Sequence, residues 1–213
     1  MAGNYQGAIA LLNKLGISTV DGLESLLNTL MILHVHQPIS GNKIASLSCS
    51  GGEASLIADL AEQFNFRFPK LSSKQKRKLK SALGDLVHLS NPLDYQTYVW
   101  NDQVKLTMAF KTMMEEIYDF LFIIMDLPKQ GRCSSDSWHP AIAALKEAKK
   151  IAKCPVGLIT SLEENMPEKF AKDLIKHSII PLTGLENSLA AVKALQNVSI
   201  QSKLKSTPSI IWE

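Results

Sequence analysis

The sequence has few cysteines and no long apolar run. Its 213 residues include three cysteines, Cys49, Cys133 and Cys154, an odd number without paired spacing. This pattern argues against a disulfide framework or a zinc site and predicts reduced thiols. The longest apolar run, Phe120 to Met125, is far shorter than the roughly 18 residues needed to span a bilayer. We therefore expect no membrane partner.

The sequence also has only a small excess of charge of one sign. The formal net charge is +3, which does not by itself indicate a nucleic-acid partner. The basic residues from Lys74 to Lys80 lie among Leu79, Leu83 and Leu86 at helical spacing, without interleaved aromatic residues. They are typical of the solvated face of an amphipathic helix. No secretory leader opens the chain, so we expect a cytoplasmic location and no nucleic acid.

The first 38 residues predict a helical hairpin. Leucines recur at helical spacing in two segments, the first ended by Gly16 and the second opened by Asp21. We expect an apolar patch on this hairpin, suited to a partner surface. His34 and His36 follow with the spacing of alternate residues in an extended segment. Since further ligands are not evident, we interpret them as linker histidines and predict no metal site.

Apolar runs alternate with helical patterns over residues 39–200. The alternation is typical of a parallel sheet covered by helices on both faces. We predict a flavodoxin-like, doubly wound α/β domain with strand order 2-1-3-4-5, followed by a tail over residues 201–213. The predicted strands are the run around Ile44 to Leu47, Val87–Ser90, Phe120–Met125, Val156–Thr160 and Ile179–Leu182. The later predicted helices are Val104–Glu116, Pro140–Ala152, Pro167–His177 and Leu185–Leu195.

The turn after the first strand is the candidate site. It contains Ser48, Ser50, Gly51, Gly52 and Glu53 and leads into a helical pattern. The first amides of a helix have no intrahelical partner and carry partial positive charge, so a glycine turn lets an anion approach them. The two serines can add hydroxyl donors, and Ser50 can cap the helix. Phosphate or a phosphorylated side chain is the favoured guest, and a plain strand-to-helix turn is the alternative.

The predicted strand order brings other loops to this turn. Ligands of doubly wound folds bind outside the carboxyl ends of the strands at the switch point, here between strands one and three. Asp126, Lys129 and Arg132 follow strand three and are candidates for charged contacts, or belong to a solvated loop. Asn91 and Asp94 follow strand two and are further candidates, although both residue types also stabilise turns.

Three segments resemble one enzyme family. They are KIASLSCSGGEASLIADLAEQF, FRFPKLSSKQKRKLKSAL and NPLDY. They are similar to the flavodoxin-like ligase domain of NDP-forming acyl-CoA synthetases, the succinyl-CoA synthetase superfamily, which includes ADP-forming acetate–CoA ligases. The family's "G-L-x-L-P-x-L-S" and "N-P-x-D" patterns correspond to Phe66–Ser72 and Asn91–Asp94. The family's G-G-P-G is replaced by Gly51, Gly52, Glu53 and Ala54.

The resemblance implies one part of a larger enzyme. Family members make acyl-CoA from an acid, CoA and ATP through a phosphohistidine, using CoA-binding and ATP-grasp domains as well. It implies that the glycine turn binds the phosphate of phosphohistidine, and that CoA and ATP with Mg²⁺ bind elsewhere, with no cofactor on this domain alone. The family's "S-H-T-x-x-L-A-G" run has no counterpart here, so we expect no catalytic residue and no activity of the chain by itself. The implied partners are the CoA-binding and ATP-grasp domains or a second copy.

A free-standing interaction or receiver-type module is the alternative. A receiver needs an acidic pair after strand one, which Ser48 to Ser50 do not supply.

Overall fold

The structure is a computed structural model that describes residues 3–37, 39–129 and 131–204, with only the backbone described for residues 199–204. Helices and strands alternate along most of this range. The helices are α1 Tyr5–Leu15, α2 Leu23–Val35, α3 Gly51–Gln63, α4 Ser73–Leu83, α5 Gln103–Met114, α6 His139–Lys149, α7 Glu168–Lys176 and α8 Leu185–Leu204. The strands are β1 Ile44–Ser48, β2 Leu93–Asp94, β3 Phe120–Ile124, β4 Val156–Thr160 and β5 Ile180–Thr183.

All five of these strands are parallel and form one sheet in the order β2-β1-β3-β4-β5. The predicted flavodoxin-like order and the α/β class are therefore confirmed. In β1, β3 and β4 every residue is buried, as expected of central parallel strands that are covered on both faces. The order reverses between β1 and β3, so their carboxyl ends border the switch-point crevice.

Two apolar layers enclose the sheet. On one face α4, α5, α6 and α7 contribute Leu79, Phe110, Leu145 and Leu174 to a buried cluster. On the other face α2, α3 and α8 contribute Ile32, Ile57, Ala61, Leu189 and Val192. Because α2 shares this second layer, the N-terminal hairpin is joined to the sheet domain through a common core. Helix α8 continues to Leu204, past the predicted boundary at residue 200.

The second strand was predicted at Val87–Ser90, and that prediction is wrong. β2 comprises only Leu93 and Asp94, which pair with Leu47 and Ser48. The side chain of Asn91 explains the displacement, because it takes up hydrogen-bonding groups of β1 that a neighbouring strand would otherwise use. Its Oδ1 accepts from the Ser46 amide at 3.2 Å, and its Nδ2 donates to the Ile44 carbonyl at 3.1 Å. Backbone pairing with β1 therefore starts only after Pro92.

Two smaller predictions also need correction. His34 belongs to the last turn of α2, and only His36 is extended. Leu86 was counted with the apolar face of α4, but that helix ends at Leu83 and Leu86 is 81% exposed. Gly84 follows with φ of 85°, a left-handed conformation that favours glycine and ends the helix. The basic residues of α4 lie mostly exposed, as predicted.

Helix α2 packs through its polar side and exposes its leucines. Asn28 donates from Nδ2 to the Thr183 carbonyl at 2.8 Å and accepts from the Thr183 amide at 3.3 Å. Ser25 donates to Asn187 at 3.0 Å. These contacts cover the free edge of β5, which would otherwise present unpaired backbone groups. The leucine face, which we define as Leu23, Leu26, Leu27, Leu30 and Leu33, lies outside and is exposed.

Candidate functional site

The turn from Ser48 to Glu53 joins β1 to α3 at the switch point. Ser50 is the N-cap of α3, and its Oγ accepts from the Glu53 amide at 3.5 Å. The hydroxyl of Ser48 donates to the Ser50 carbonyl at 3.0 Å. Both serine side chains are therefore engaged within the turn. Among the described residues, no acceptor is found for the amides of Gly51 and Gly52, and these two N–H groups remain as donors for an anion.

The two glycines differ in their surroundings. A Cβ added at Gly51 would lie 3.2 Å from Oδ2 of Asp94, closer than most Cβ contacts. A Cβ added at Gly52 would meet only Oγ of Ser50, at an ordinary 3.6 Å. Gly51 therefore permits the close approach of Asp94. Gly52 is the position at which a side chain can be introduced without a clash.

Asp94, at the end of β2, places a carboxylate beside the start of α3. Its Oδ1 accepts from the Gln96 amide at 2.9 Å, and its Oδ2 accepts from Nε2 of Gln96 at 2.5 Å. Gln96 has φ of 59°, a conformation that is uncommon outside glycine. The Asp94 carboxylate is thus held next to the amides that an incoming anion would use. The side chain of Asn91, by contrast, bonds to backbone groups of Ser46, Ile44 and Pro69.

The loop after β3 divides its charged residues between two places. Asp126 accepts from the Ser161 amide at 2.7 Å and from Nδ2 of Asn165 at 2.9 Å, and it lines a cavity together with Glu53. Lys129 and Arg132 are exposed, and neither lines that cavity. Their loop instead borders a separate cavity beside α7. The structure therefore brings Asp126 to the turn, and places Lys129 and Arg132 outside the cavity beside it.

The cavity beside the turn has a volume of about 410 Å³ and has mixed aromatic and acidic walls. The rings of Trp100 and Trp138 meet edge to face, with centroids 5.9 Å apart and an interplanar angle of 90°. Tyr95 stacks on Trp100 at 6.4 Å. The cavity is lined by Cys49, Glu53, Thr97, Trp100, Asn101, Met125, Asp126 and Trp138.

The electrostatics of this cavity centre on Glu53. Burial, followed by the neighbouring charges of Asp126 and Asp94, raises the pKa of Glu53 to about 7. Burial and Glu53 together raise the pKa of the Cys49 thiol to about 11. Oε2 of Glu53 and the hydroxyl of Tyr95 are buried, and neither has a hydrogen-bond partner in the part of the chain that the structure describes. The carboxyl edge of the sheet is therefore acidic, and both of these polar atoms remain unsatisfied there.

The aromatic wall and the partly buried position of Glu53 were not predicted from the sequence. Trp100 and Trp138 are separated in sequence and meet only through the fold. The spacing Ser50-x-x-Glu53 was visible and is typical of a capping box, in which the glutamate bonds back to the N-cap amide. Only the serine half forms, since Glu53 turns into the cavity. The interrupted capping box is thus the one sequence signal that bears on this acid.

Within residues 3–37, 39–129 and 131–204, no group of three histidine, cysteine, aspartate or glutamate side chains is placed to hold a metal ion. No helix in these ranges is long and apolar enough to cross a membrane.

Comparison with known proteins identifies similar folds. No protein-family profile matches the sequence, and no curated protein is significantly similar to it. Among solved structures, PH0766 from Pyrococcus horikoshii OT3 matches 93% of this chain with a TM-score of 0.73 and 22% identity. The Ca. Korarchaeum cryptofilum dinucleotide forming acetyl-coenzyme A synthetase 1, in complex with phosphate and ADP, matches 98% with a TM-score of 0.72 and 16% identity.

The match covers only part of each of these larger proteins. This chain spans 45% of the P. horikoshii chain and 44% of the Ca. K. cryptofilum chain. The apo form of the latter matches similarly, with a TM-score of 0.71. The resemblance to acyl-CoA synthetases seen in the sequence is thus accompanied by a likeness in fold. The chain has the fold of slightly less than half of an acetyl-coenzyme A synthetase chain.

Proposed function

We propose that this chain is the flavodoxin-like ligase part of an NDP-forming acyl-CoA synthetase. The whole enzyme would convert an acid, CoA and ATP to acyl-CoA, ADP and phosphate through a phosphohistidine. The observation that carries the proposal is the pair of free amides at Gly51 and Gly52, which lie at the start of α3 and at the switch point of the sheet. The likeness in fold to an acetyl-coenzyme A synthetase supports it.

In this proposal the chain binds a phosphoryl group that another part of the enzyme carries. The amides of Gly51 and Gly52 donate to the phosphoryl oxygens, and the dipole of α3 favours their negative charge. Ser50 fixes the first turn of the helix, so the amides keep their direction. CoA and ATP with Mg²⁺ would bind to the CoA-binding and ATP-grasp domains, in the cytoplasm. The chain alone would not turn over.

Nearby carboxylates lower the affinity of this site for an anion. Asp94 lies at its mouth, and Glu53 and Asp126 line the cavity beside it. A dianion is repelled by these carboxylates, and we therefore expect weak binding in the isolated chain. The receiver-type alternative gains no support, because Cys49 and Ser50 follow β1 and Gly184 follows β5, where a receiver needs acids and a lysine.

The variant Gly52→Asp tests the anion site. It adds a negative charge beside the two free amides at a position where a Cβ meets no clash. Sulfate is the suitable probe, since its charge does not change near neutral pH. We expect sulfate to shift the amide signals of Gly51 to Ala54 in the NMR spectrum of the wild-type chain, and not in that of Gly52→Asp. Ser55→Asp, on an exposed position of α3, is the matched control and should retain binding.

The pH dependence supplies a second test of the same site. Glu53 is charged above its pKa of about 7 and neutral below it. Sulfate should therefore bind more tightly at about pH 6 than at about pH 8, and Glu53→Gln should remove most of that difference. If the NMR shifts cluster elsewhere on the chain, or persist in Gly52→Asp, the turn is a structural connection between β1 and α3 and not an anion site.

A further inference from the structure

The cavity beside the anion site contains features that phosphate binding does not use. Its walls present two indole rings at 90° to each other and the carboxylates of Glu53 and Asp126. The residues that line it include no lysine, arginine or histidine. The described neighbours that act on Glu53 are the further acids Asp126 and Asp94. The cavity thus combines acidic and aromatic side chains in its walls.

Two buried polar atoms in this region lack partners. Oε2 of Glu53 accepts no hydrogen bond from any described residue. Tyr95 is 0% exposed, and its hydroxyl also has no partner in the described ranges. The ring of Tyr95 stacks on Trp100, which lines the cavity. Native proteins rarely leave such groups unpaired when they are buried.

We propose that the cavity between Trp100, Trp138 and Glu53 binds an organic cation, through an alkylammonium or guanidinium group. The cation donates to Oε2 of Glu53, which has no partner among the described residues. The alkyl part lies against Met125 and the indole rings, whose faces attract a cation. The source is either a free small amine or a lysine or arginine side chain of a partner. Both sources present the same chemistry to the cavity.

The inference goes beyond the proposed function, because it uses the cavity wall and not the amides of the glycine turn. The two sites also respond oppositely to pH. Above pH 7 the Glu53 carboxylate is charged, since its pKa is raised to about 7, while Asp94 and Asp126 face it as further acids. The Cys49 thiol stays neutral because its pKa is about 11, and burial keeps the Tyr95 hydroxyl neutral by raising its pKa well above the usual value. Cation binding should therefore strengthen from about pH 6 to about pH 8, where sulfate binding weakens.

The test uses n-butylammonium and n-butylguanidinium as probes and 1-butanol as the neutral control. The full chain would be titrated while the indole N–H signals are followed by NMR. Its three tryptophans would be assigned from single Trp→Phe variants. We expect saturable shifts of the Trp100 and Trp138 signals with both cations at millimolar concentrations, and none with butanol. A lysine-containing peptide and its norleucine counterpart form the second arm: a peptide that binds more tightly than butylammonium identifies a partner side chain as the source, and equal binding identifies a free amine.

Three variants separate this proposal from simple apolar binding. Glu53→Gln keeps the shape of the side chain and should weaken cation binding about tenfold, as should Trp138→Leu. Glu62→Gln, on an exposed position of α3, should have no effect. Trp138→Leu should leave sulfate binding intact, so a failure of one proposal does not imply failure of the other. Equal binding of butanol and butylammonium, or unchanged cation affinity in Glu53→Gln, would overturn the proposal.

Discussion

Two opposing effects act on the ionisation of the Glu53 side chain. It lies in the first turn of α3, where the helix dipole favours a negative charge, yet its pKa is raised to about 7. Burial is the largest cause, and the charges of Asp126 and Asp94 act in the same direction. Desolvation and like charge therefore outweigh the dipole at this position. A carboxyl group whose pKa lies near neutral pH is typical of a functional site.

This shift predicts a pH-dependent stability. The folded-state pKa of Glu53 is above its unfolded value, so the native state holds the proton more tightly. Stability is thus lost as the pH rises from about 4.5 to about 7 and Glu53 becomes charged in its partly buried position. Glu53→Gln should raise the free energy of unfolding by about 1–2 kcal/mol at about pH 8, after discounting for partial exposure, and change it little at about pH 5.

Urea unfolding at both pH values would measure this effect, with Glu62→Gln as the control on the same helix. An equal gain at both pH values would mean that the charge of Glu53 is not its cause. A loss of stability at the higher pH would contradict the raised pKa itself.

At the scale of elements, α2 is fixed to the sheet by the side-chain amide of Asn28 in addition to the apolar contacts of Ile32. Asn28 satisfies both backbone groups of Thr183 at the edge of β5. Asn28→Ala would leave these groups without partners at a position that is 5% exposed. We expect a loss of about 1–3 kcal/mol in the free energy of unfolding.

Denaturant unfolding would test this prediction, and Asn13→Ala, at an exposed position of α1, provides the control. The control should change stability by less than about 0.5 kcal/mol. Faster hydrogen exchange at Thr183 in Asn28→Ala would show that the loss arises at the strand edge. Exchange unchanged there would indicate that α2 is held mainly through Ile32.

At the scale of the whole molecule, the leucine face exposes several large apolar side chains on one helix. Leu23 is 63% exposed, Leu27 is 56% exposed and Leu30 is 53% exposed. Leu11, Leu15 and Ile17 add further exposed apolar area to the same hairpin. Exposed apolar side chains gathered on one hairpin are typical of an interaction site. Under the proposed function its partners are the companion domains of the enzyme.

We expect the chain to associate with co-expressed CoA-binding and ATP-grasp domains, as measured by light scattering. The double variant Leu27→Glu and Leu30→Glu should abolish this association without lowering the unfolding midpoint, because both side chains are already solvated. Tyr98→Glu, which is 69% exposed and outside the hairpin, should not affect it. A strict monomer that binds neither domain would contradict the prediction.

Local sequence patterns were sufficient to predict most of the helices and strands of the fold. β4 coincides with its predicted bounds because a fully buried parallel strand is a continuous apolar run. The βα alternation predicted a flavodoxin-like domain, and the strand order of that fold is the one observed. α3 begins at the glycine pair because Ser50 is a good N-cap. These features depend on neighbours in sequence, and the sequence by itself determined them.

Other features depend on side chains that meet only in three dimensions. β2 is short because Asn91 bonds to β1, a contact across 45 residues. The leucines of α2 face outward because Asn28 and Ser25 bind the sheet edge near Thr183 and Asn187, whereas periodicity alone would bury the apolar side. The pKa of Glu53 is raised by burial first, and then by Asp126 from the loop after β3 and Asp94 from β2. Burial and electrostatic fields sum over distant parts of the chain, and for that reason only the tertiary structure decided the character of the site.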